Sequence, residues 1–436
     1  MQDILKKIKK RRVEGDIFVE KSSVVSLKYK ANKCKEMNKK IIKGIGIRVI
    51  KKGKLGFSST SNTANVEKTI DDALSLTQFG ENVNFKLPKT VKKSKVEIED
   101  GRVQNLTSKK MRELADQLRD GILDIAPDVN VDINVRKVSE EIEIYNTRGL
   151  KVNFNIDSFT LNYFVMFVKG KNILFLGDFL KFTGEKRWSV KPLINRFKKY
   201  NDLIGKTVKV KSGKYTVVVH PFSIPSFLLP LLVGMNGKNY QNKTTPLIKS
   251  ENKQIASDKF TLIDNPLIPY GLWSSPVDGE GVARKVFPVI ENGVFKGFIF
   301  DLRTASKVGR ISTGHAMRNY STLPSPSFTN LVVIPGRKKV DAIIKDLDEG
   351  ILVLQTIGAG QSNIIAGDFS MEIGLGFYVK NGEIKGRIKK TMISGNIYRL
   401  LPYIEEFGSD VMEMPGVNTN YMTPPIVFSG VDITAA

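Results

Sequence analysis

The side chains that ordinarily perform metal or nucleophilic chemistry are scarce in this chain. Its 436 residues include one cysteine, Cys34, and two histidines, His220 and His315, which lie far apart in the sequence. A single thiol excludes an intramolecular disulfide and any zinc or iron–sulfur site built on a cysteine cluster. Two distant histidines exclude a histidine-rich metal site. His220 and His315 are therefore the only candidates for a catalytic imidazole.

The loop around His315 has a composition that suits binding. It reads Ser312-Thr313-Gly314-His315, and a glycine loop rich in hydroxyls can cradle a peptide backbone or an anion. A serine triad also requires a histidine close to a serine and a carboxylate. His220 ends an apolar run and precedes Pro221, which favours a capped, structural histidine. A structural role stays open for His315 as well.

A second candidate is the glycine loop that carries two carboxylates, Asp278-Gly279-Glu280-Gly281. Paired carboxylates can bind a metal ion or act as general acid and base. Two ligands without a nearby third are too few for a metal site. The alternative is a turn whose carboxylates accept backbone N–H groups. Elsewhere, Gly358-Ala359-Gly360 and Gly374-Leu375-Gly376 do not complete a G-x-G-x-x-G nucleotide loop, and no P-loop occurs.

Composition limits the class of protein. Apolar residues make up 41% and charged residues 26% of the chain, which is typical of a globular protein. No apolar stretch approaches the ~18 residues of a membrane helix, and the first residues lack the apolar core of a secretory signal. We therefore expect a cytoplasmic protein that is not bound to a membrane.

The net charge of +24 raises the possibility of a polyanion as partner. The lysine runs at Lys6–Arg12, Lys92–Lys95 and Lys206–Lys214 could contact nucleic acid. They lack the interleaved aromatic residues of a stacking platform and any recognisable binding motif. Lysines on solvated faces are the alternative, and we expect no specific nucleic-acid partner.

Helical and strand periodicities alternate in the first half of the chain. They predict helices over residues 1–12, 63–79 and Ser108–Ala126, strands over Asp16–Glu20 and Val24–Lys30, a hairpin over Gly44–Ser59, a loop over 84–100 and an antiparallel meander over Val129–Phe182. Residues 183–213 are basic and poorly patterned, which indicates a connector. Helices inserted among hairpins are typical of an α+β domain with an antiparallel or mixed sheet.

The second half is mostly β structure. A buried strand is predicted at Tyr215–Val219 and an apolar helix at about 222–236, followed by hairpins that turn at Asn292-Gly293 and Asn381-Gly382. Frequent glycines after residue 271 suit a strongly curved, barrel-like sheet. The sequence thus predicts two domains in an α+β protein: an N-terminal α+β domain over 1–204 and a C-terminal, mostly β domain over 205–436.

Several segments together resemble a known family, the TldD/TldE proteins, in which TldE is also called PmbA or modulator of DNA gyrase. The matching segments include Gly44-Ile45-Gly46-Ile47-Arg48-Val49, Tyr145-Asn146-Thr147-Arg148-Gly149, Ile263-Asp264-Asn265-Pro266, Ser274-Ser275-Pro276-Val277-Asp278-Gly279-Glu280-Gly281-Val282, Ile290-Glu291-Asn292-Gly293-Val294, Ser312-Thr313-Gly314-His315-Ala316-Met317-Arg318 and Thr329-Asn330-Leu331 with Pro335-Gly336. Their order along the chain, more than any single motif, carries the resemblance. His315 departs from the family's commoner asparagine.

The resemblance implies that a catalytic feature of the family is missing here. TldD-type members carry H-E-x-x-x-H on the helix after the buried strand, where two histidines hold zinc and the glutamate can act as general base. The corresponding positions in this chain are Pro230, Leu231 and Met235. Phe222–Asn236 contains no histidine, cysteine, aspartate or glutamate. The resemblance therefore places the chain on the TldE/PmbA side, with no catalytic residue and no metal of its own.

What the family implies is a catalytically silent subunit that pairs with a TldD-like metalloprotease, which supplies the zinc and cuts small or unfolded peptides. By the same resemblance, loops of the second domain approach the peptide chamber. The candidate peptide or partner contacts are Ser312, Thr313, Gly314, His315, Arg318, Asp278, Glu280 and Asn330. Two alternatives stay open: a basic protein that binds nucleic acid or gyrase, and a homodimeric peptidase with an unrecognised site. A homodimer of the isolated chain is possible under any of these hypotheses.

Overall fold

A computed structural model describes residues 1–169, 172–416 and 418–435. The helices are α1 (Gln2–Lys10), α2 (Val66–Leu76), α3 (Gly101–Gln104), α4 (Ser108–Leu123), α5 (Lys191–Asn201), α6 (Ile224–Gly234), α7 (Gly237–Gln241), α8 (Leu302–Lys307), α9 (Val340–Asp346) and α10 (Ile397–Leu400).

The strands are β1 (Glu14–Lys30), β2 (Lys33–Lys51), β3 (Lys54–Thr60), β4 (Asn130–Asn146), β5 (Lys151–Lys169), β6 (Asn172–Lys181), β7 (Gly213–Val219), β8 (Leu262–Asp264), β9 (Phe287–Glu291), β10 (Val294–Phe295), β11 (Ala316–Met317), β12 (Ser325–Pro326), β13 (Asn330–Val333), β14 (Glu349–Ile357), β15 (Asp368–Lys380), β16 (Glu383–Arg387), β17 (Thr391–Asn396), β18 (Ile404–Phe407), β19 (Met412–Pro415), β20 (Asn420–Thr423) and β21 (Ile426–Ala435).

The N-terminal part is one antiparallel sheet with helices on one face. Its strand order is β3-β2-β1-β4-β5-β6. Alternation on β1 places Ile17 and Val19 in a core with α1 and α2, and Leu27 and Tyr29 in a core with α4. On the opposite face, Phe18 packs with residues of β4 and β5 against a loop of the C-terminal part. The sheet therefore has a helix-covered face and a face that meets the second half of the chain.

Two local predictions for this part are wrong. The runs Asp16–Glu20 and Val24–Lys30 belong to the single strand β1, because the polar residues between them stay in register with both neighbouring strands. The segment 183–213 is not only a connector. It contains α5, whose Leu193, Phe197 and Tyr200 are buried against the sheet, a helical spacing hidden among basic residues.

The C-terminal part contains a closed barrel of five strands in the order β14-β7-β21-β17-β15, in which β15 pairs back onto β14. Alternate barrel residues point to two different cores: Val217 and Val353 pack with α6, whereas Val218 and Leu352 pack with α4, α5 and the N-terminal sheet. The predicted α+β class and the curved C-terminal sheet are confirmed. The boundary at 204/205 stays a prediction, and a shared core spans it.

The remaining strands form a second sheet in the order β10-β9-β8-β13-β20-β19. Both predicted Asn-Gly hairpins are present: Asn292 and Gly293 have φ of 47° and 78°, and Asn381 and Gly382 have φ of 51° and 72°. Two successive positive φ values are those of a type I′ turn.

In the ranges that the structure covers, no helix combines the length and the apolar character needed to cross a bilayer.

Candidate functional site

The predicted site residues lie where C-terminal loops meet the N-terminal sheet. Asp278 organises two of these loops: its Oδ1 accepts the N–H groups of Glu280 and Val282, both at 2.9 Å, and its Oδ2 accepts the N–H of Ala316 at 3.1 Å. The N–H of Gly279 in turn donates to the carbonyl of Ala316 at 2.8 Å. The interpretation of this loop as a turn whose carboxylates accept backbone N–H groups therefore holds for Asp278.

Glu280 makes a different connection, across to the N-terminal sheet. Its Oε1 lies 2.5 Å from Nη1 of Arg48, and its Oε2 accepts the N–H of Leu302 at 2.7 Å. Arg48 also bonds Asp16, its cross-strand neighbour on β1. Arg318 reaches the same carboxylate through Nη1, at 3.2 Å. We call Asp16, Arg48, Glu280 and Arg318 the buried ion-pair cluster; it ties β1 and β2 to two C-terminal loops.

The cluster is sealed from water, and this determines its charges. Burial acts to raise the pKa of Asp16, but Arg318 and Arg48 hold it below its ordinary value. Burial, with smaller contributions from Asp301 and Asp278, raises the pKa of Glu280 to about 7 against the attraction of Arg48.

The number of buried charges explains this difference. Three buried guanidiniums, Arg48, Arg284 and Arg318, share this region with five buried carboxylates, Asp16, Asp264, Asp278, Glu280 and Asp301. Because the carboxylates outnumber the guanidiniums, part of the negative charge is incompletely compensated in a low-dielectric site. Burial raises the pKa of both Asp278 and Glu280, and Glu280 also has Asp301 and Asp278 beside it.

His315 is held inside a second polar network. Its Nε2 lies 3.0 Å from Oδ2 of Asp264, and its Nδ1 lies 2.9 Å from Oγ1 of Thr313. A hydroxyl, an imidazole and a carboxylate in this order have the composition of a catalytic triad. Here the Thr313 hydroxyl also bonds the N–H and the carbonyl of Phe300, at 2.7 and 3.1 Å, and His315 and Asp264 are buried. The network positions backbone, and no free nucleophile is presented.

The other candidates complete the same scaffold. The Ser312 hydroxyl donates to the carbonyl of Phe300 at 3.2 Å, and the carbonyl of Gly314 accepts from Arg284 at 2.6 Å. The amide of Asn330 donates to the Asn265 carbonyl and the Ser274 hydroxyl, both at 3.0 Å. The structure thus places seven of the eight predicted residues on the two neighbouring segments 278–281 and 312–318, and the eighth, Asn330, at the start of β13, where it bonds Asn265 and Ser274. Their contact with a peptide or a partner stays a prediction.

Three residues of these networks were not predicted as site residues: Asp16, Arg48 and Asp264. The sequence does contain a signal for two of them. Asp16 and Arg48 interrupt otherwise apolar strand segments, at Gly15-Asp16-Ile17 and Ile47-Arg48-Val49. Charges of opposite sign inside two neighbouring buried strands indicate a pair. Asp264 has no such signal, because its partners His315 and Thr329 are distant in sequence.

His220 has the structural role that its position favoured. Its Nε2 lies 2.7 Å from the hydroxyl of Tyr200 on α5, and the N–H of Phe222 donates to its Nδ1 at 3.4 Å. Burial, together with the nearby charges of Lys199 and Arg196, lowers the pKa of His220 to about 3. The neutral imidazole joins α5 to the end of β7.

The helix that would carry a family zinc site, α6, does not fit a metal ion. Pro230, Leu231 and Met235 are buried in an apolar core. The hydroxyl of Tyr398 donates to the carbonyl of Pro230 at 3.3 Å, and its ring lies against Gly234. None of these side chains offers the imidazole, thiolate or carboxylate that zinc requires. Across the described residues, no three histidine, cysteine, aspartate or glutamate side chains are grouped as a metal site.

The first lysine run, Lys6–Arg12, does not form a free basic surface. It lies on and just after α1, where Lys7 pairs with Glu67 at 2.6 Å and Arg11 pairs with Asp71 at 2.8 Å. These contacts join α1 to α2. They support the interpretation of this run as a solvated helix face with local partners.

Comparison with known proteins agrees with this geometry. Residues 212–435 match the model of the PmbA/TldA metallopeptidase C-terminal domain, and residues 15–77 match that of PmbA/TldA metallopeptidase domain 1. The chain belongs to the PmbA/TldD family. The crystal structure of TldE from Thermococcus kodakarensis superposes with a TM-score of 0.93 at 25% identity, covering 100% of both chains.

Two relatives show how the similarity is distributed in this PmbA/TldD family member. An uncharacterised protein of Methanocaldococcus jannaschii is 28% identical over 99% of both chains. The metalloprotease PmbA of Escherichia coli O157:H7 is 30% identical over 44% of this chain and 41% of its own length. Similarity to the PmbA metalloprotease therefore covers less than half of either protein.

Proposed function

We propose that this chain is the non-catalytic, TldE/PmbA-type subunit of a heterodimeric TldD–TldE metallopeptidase that degrades or processes small or unfolded peptides. The observation that carries the proposal is α6, where a family metal site would have to lie. Its buried side chains include Pro230 and Leu231, and the residue that follows the helix, Met235, is buried as well. In this proposal the TldD-like partner supplies the zinc and the general base.

The packing around α6 supports a silent role. Two glycines, Gly234 and Gly367, lie against Tyr398: a Cβ on Gly234 would lie 2.0 Å from its hydroxyl oxygen, and a Cβ on Gly367 would lie 2.4 Å from its ring. The side chain of Tyr398 thus fills the space beside the C-terminal end of α6. Burial also raises the pKa of Tyr398 to about 12, so its hydroxyl stays protonated at neutral pH and does not act as an anionic ligand.

The charge of the chain supports a heteromeric assembly. A net charge of +24 makes two copies repel each other, whereas an acidic partner is attracted. In the same proposal the buried ion-pair cluster holds the N-terminal sheet against the loops of Asp278–Gly281 and Ser312–Arg318. These loops would then keep one shape when they form a wall of the shared chamber.

The test is reconstitution with the TldD-like protein of the same organism. We expect a 1:1 complex on a calibrated sizing column, with peptide hydrolysis by the complex that a chelator abolishes. Metal analysis of the isolated chain should give well under one zinc per chain, and the isolated chain should cleave no peptide. A partner that is fully active alone and forms no complex would contradict the proposal, and so would stoichiometric zinc in the isolated chain.

A further inference from the structure

Strand β5 leaves part of one edge without a neighbouring strand. It pairs with β4 from Lys151 onward, whereas β6 joins its other edge only from Thr160. The N–H of Asp157 donates away from β4, to the carbonyl of Ile98 at 2.9 Å. Because the N–H and C=O groups of alternate residues on a strand point to the same side, those of Asn153 and Asn155 also point away from β4.

These outward groups are mostly unpaired within the described chain. The carbonyl of Asn153 accepts from the exposed Nζ of Lys93 at 3.0 Å. Over the ranges that the structure covers, no hydrogen bond reaches the outward N–H of Asn153, or either backbone group of Asn155 on this side. An edge of this kind is a template for one more strand.

The free edge forms one wall of a groove of about 810 Å³. The opposite wall is the extended segment 93–99, which is anchored where the N–H of Ser94 donates to Pro276 at 3.2 Å and the N–H of Tyr270 donates to Glu97 at 2.6 Å. Apolar side chains line the groove: Phe154, Leu267, Pro269 and Pro276. Charges of both signs border it: Lys93, Lys95, Glu97 and Glu99.

We propose that this groove binds an extended peptide segment, which adds a strand to the free edge of β5 at Asn153–Asn155. Main-chain hydrogen bonds to the edge provide affinity without regard to sequence, and the apolar lining favours apolar side chains at alternate positions. The two lysines and two glutamates at the border balance each other, so a charged peptide gains little. The groove involves neither α6 nor the buried ion-pair cluster.

The assignment rests on the proposed function only for the class of ligand, an unfolded or small peptide. It adds a site at which this subunit itself binds such a peptide, independently of the TldD-like partner. Peptide binding to the isolated chain and assembly with the TldD-like partner are separate measurements. Binding without assembly overturns the proposed function alone, and assembly without binding overturns the groove alone.

The experiment uses fluorescence anisotropy of the isolated full chain with a short labelled peptide of alternating valine and threonine. Asn155→Pro removes the outward N–H and leaves the ladder to β4 intact, whereas Asn155→Ala removes only the side chain. We expect Asn155→Pro to weaken binding about two- to tenfold, the effect of one main-chain hydrogen bond, and Asn155→Ala to leave it unchanged. The same peptide with alternate N-methyl groups should bind still more weakly.

A second variant keeps the proposal falsifiable if the proline disturbs folding. Leu267→Asp places a charge in the apolar lining, and we expect it to weaken binding at least as much as Asn155→Pro. Three results would each overturn the proposal that the groove binds a peptide. They are equal affinities for the methylated and unmethylated peptides, equal affinities of Asn155→Pro and Asn155→Ala, and equal affinities of Leu267→Asp and the unaltered chain. Failure of the unmethylated peptide to bind would do the same.

Discussion

Replacement of Glu280 by glutamine tests the charge balance of the buried ion-pair cluster. The pKa of Glu280 is raised from 4.5 to about 7 in the folded chain, chiefly by burial. The folded state therefore binds this proton more tightly than the unfolded state does, so protonation stabilises the fold. The contribution is fully present below pH 4.5 and is lost as the pH rises through 7. The difference in pKa corresponds to about 3 kcal/mol of unfolding free energy.

The assay is urea unfolding of the unaltered chain and of Glu280→Gln between pH 4.5 and pH 8, followed by the fluorescence of Trp188 and Trp273. Other carboxylates also titrate, so the quantity of interest is the difference in unfolding free energy between the two proteins at each pH. We expect the unaltered chain to lose about 3 kcal/mol relative to Glu280→Gln across this range. Glu291→Gln, at an exposed hairpin position, is the control and should show a constant difference.

Two results would refute this reasoning. A difference between the unaltered chain and Glu280→Gln that does not change with pH would mean that Glu280 titrates at the same pKa in the folded and unfolded states. A difference that grows in favour of the unaltered chain as the pH rises would mean that Arg48 more than offsets the burial of Glu280. The excess of buried carboxylates would then not be the deciding factor.

Three further substitutions test other parts of the structure. Arg48→Met leaves Glu280 without its cation, and we expect a loss of about 3–5 kcal/mol in unfolding free energy; a loss under about 1 kcal/mol in urea would contradict the buried pairing. Leu231→Ala should cost about 2–5 kcal/mol, and a neutral result by thermal unfolding would show that α6 is not packed as described. Gly382→Ala should be destabilising by roughly 1–2 kcal/mol, because φ is 72° and a Cβ would lie 2.5 Å from the Lys345 carbonyl; an unchanged melting temperature would be inconsistent with the type I′ turn.

Sequence periodicity alone was sufficient to predict the elements whose buried residues follow a single helical or strand repeat. Helix α4 was predicted from the spacing of Met111, Leu114, Leu118 and Ile122, all of which are buried in the structure. The two Asn-Gly hairpins were predictable because only a few residues adopt consecutive positive φ angles. Local chemistry decides these elements, so a local pattern is enough to find them.

Helix α5 and the site could not be predicted in the same way. The buried residues of α5 lie among lysines and arginines, and only contact with α4 and β6 decides that this segment is a helix packed on the core. The sequence indicated that Asp278, Glu280 and the loop of Ser312–Arg318 belong together, through the resemblance to a family. It left open whether their polar groups hold the loops together, as those of Asp278 do, or face a ligand.

That Pro230, Leu231 and Met235 offer no zinc ligand is a property that the sequence determined by itself, because the chemistry of these side chains excludes coordination wherever they lie. The partners of Glu280 and His315 were decided only by the tertiary structure. Arg48 and Asp264 are far from them along the chain, and a charged or polar side chain is compatible with solvent until folding removes the water. Each of these buried groups must then have a partner, because an unpaired charge in the protein interior strongly destabilises the folded state.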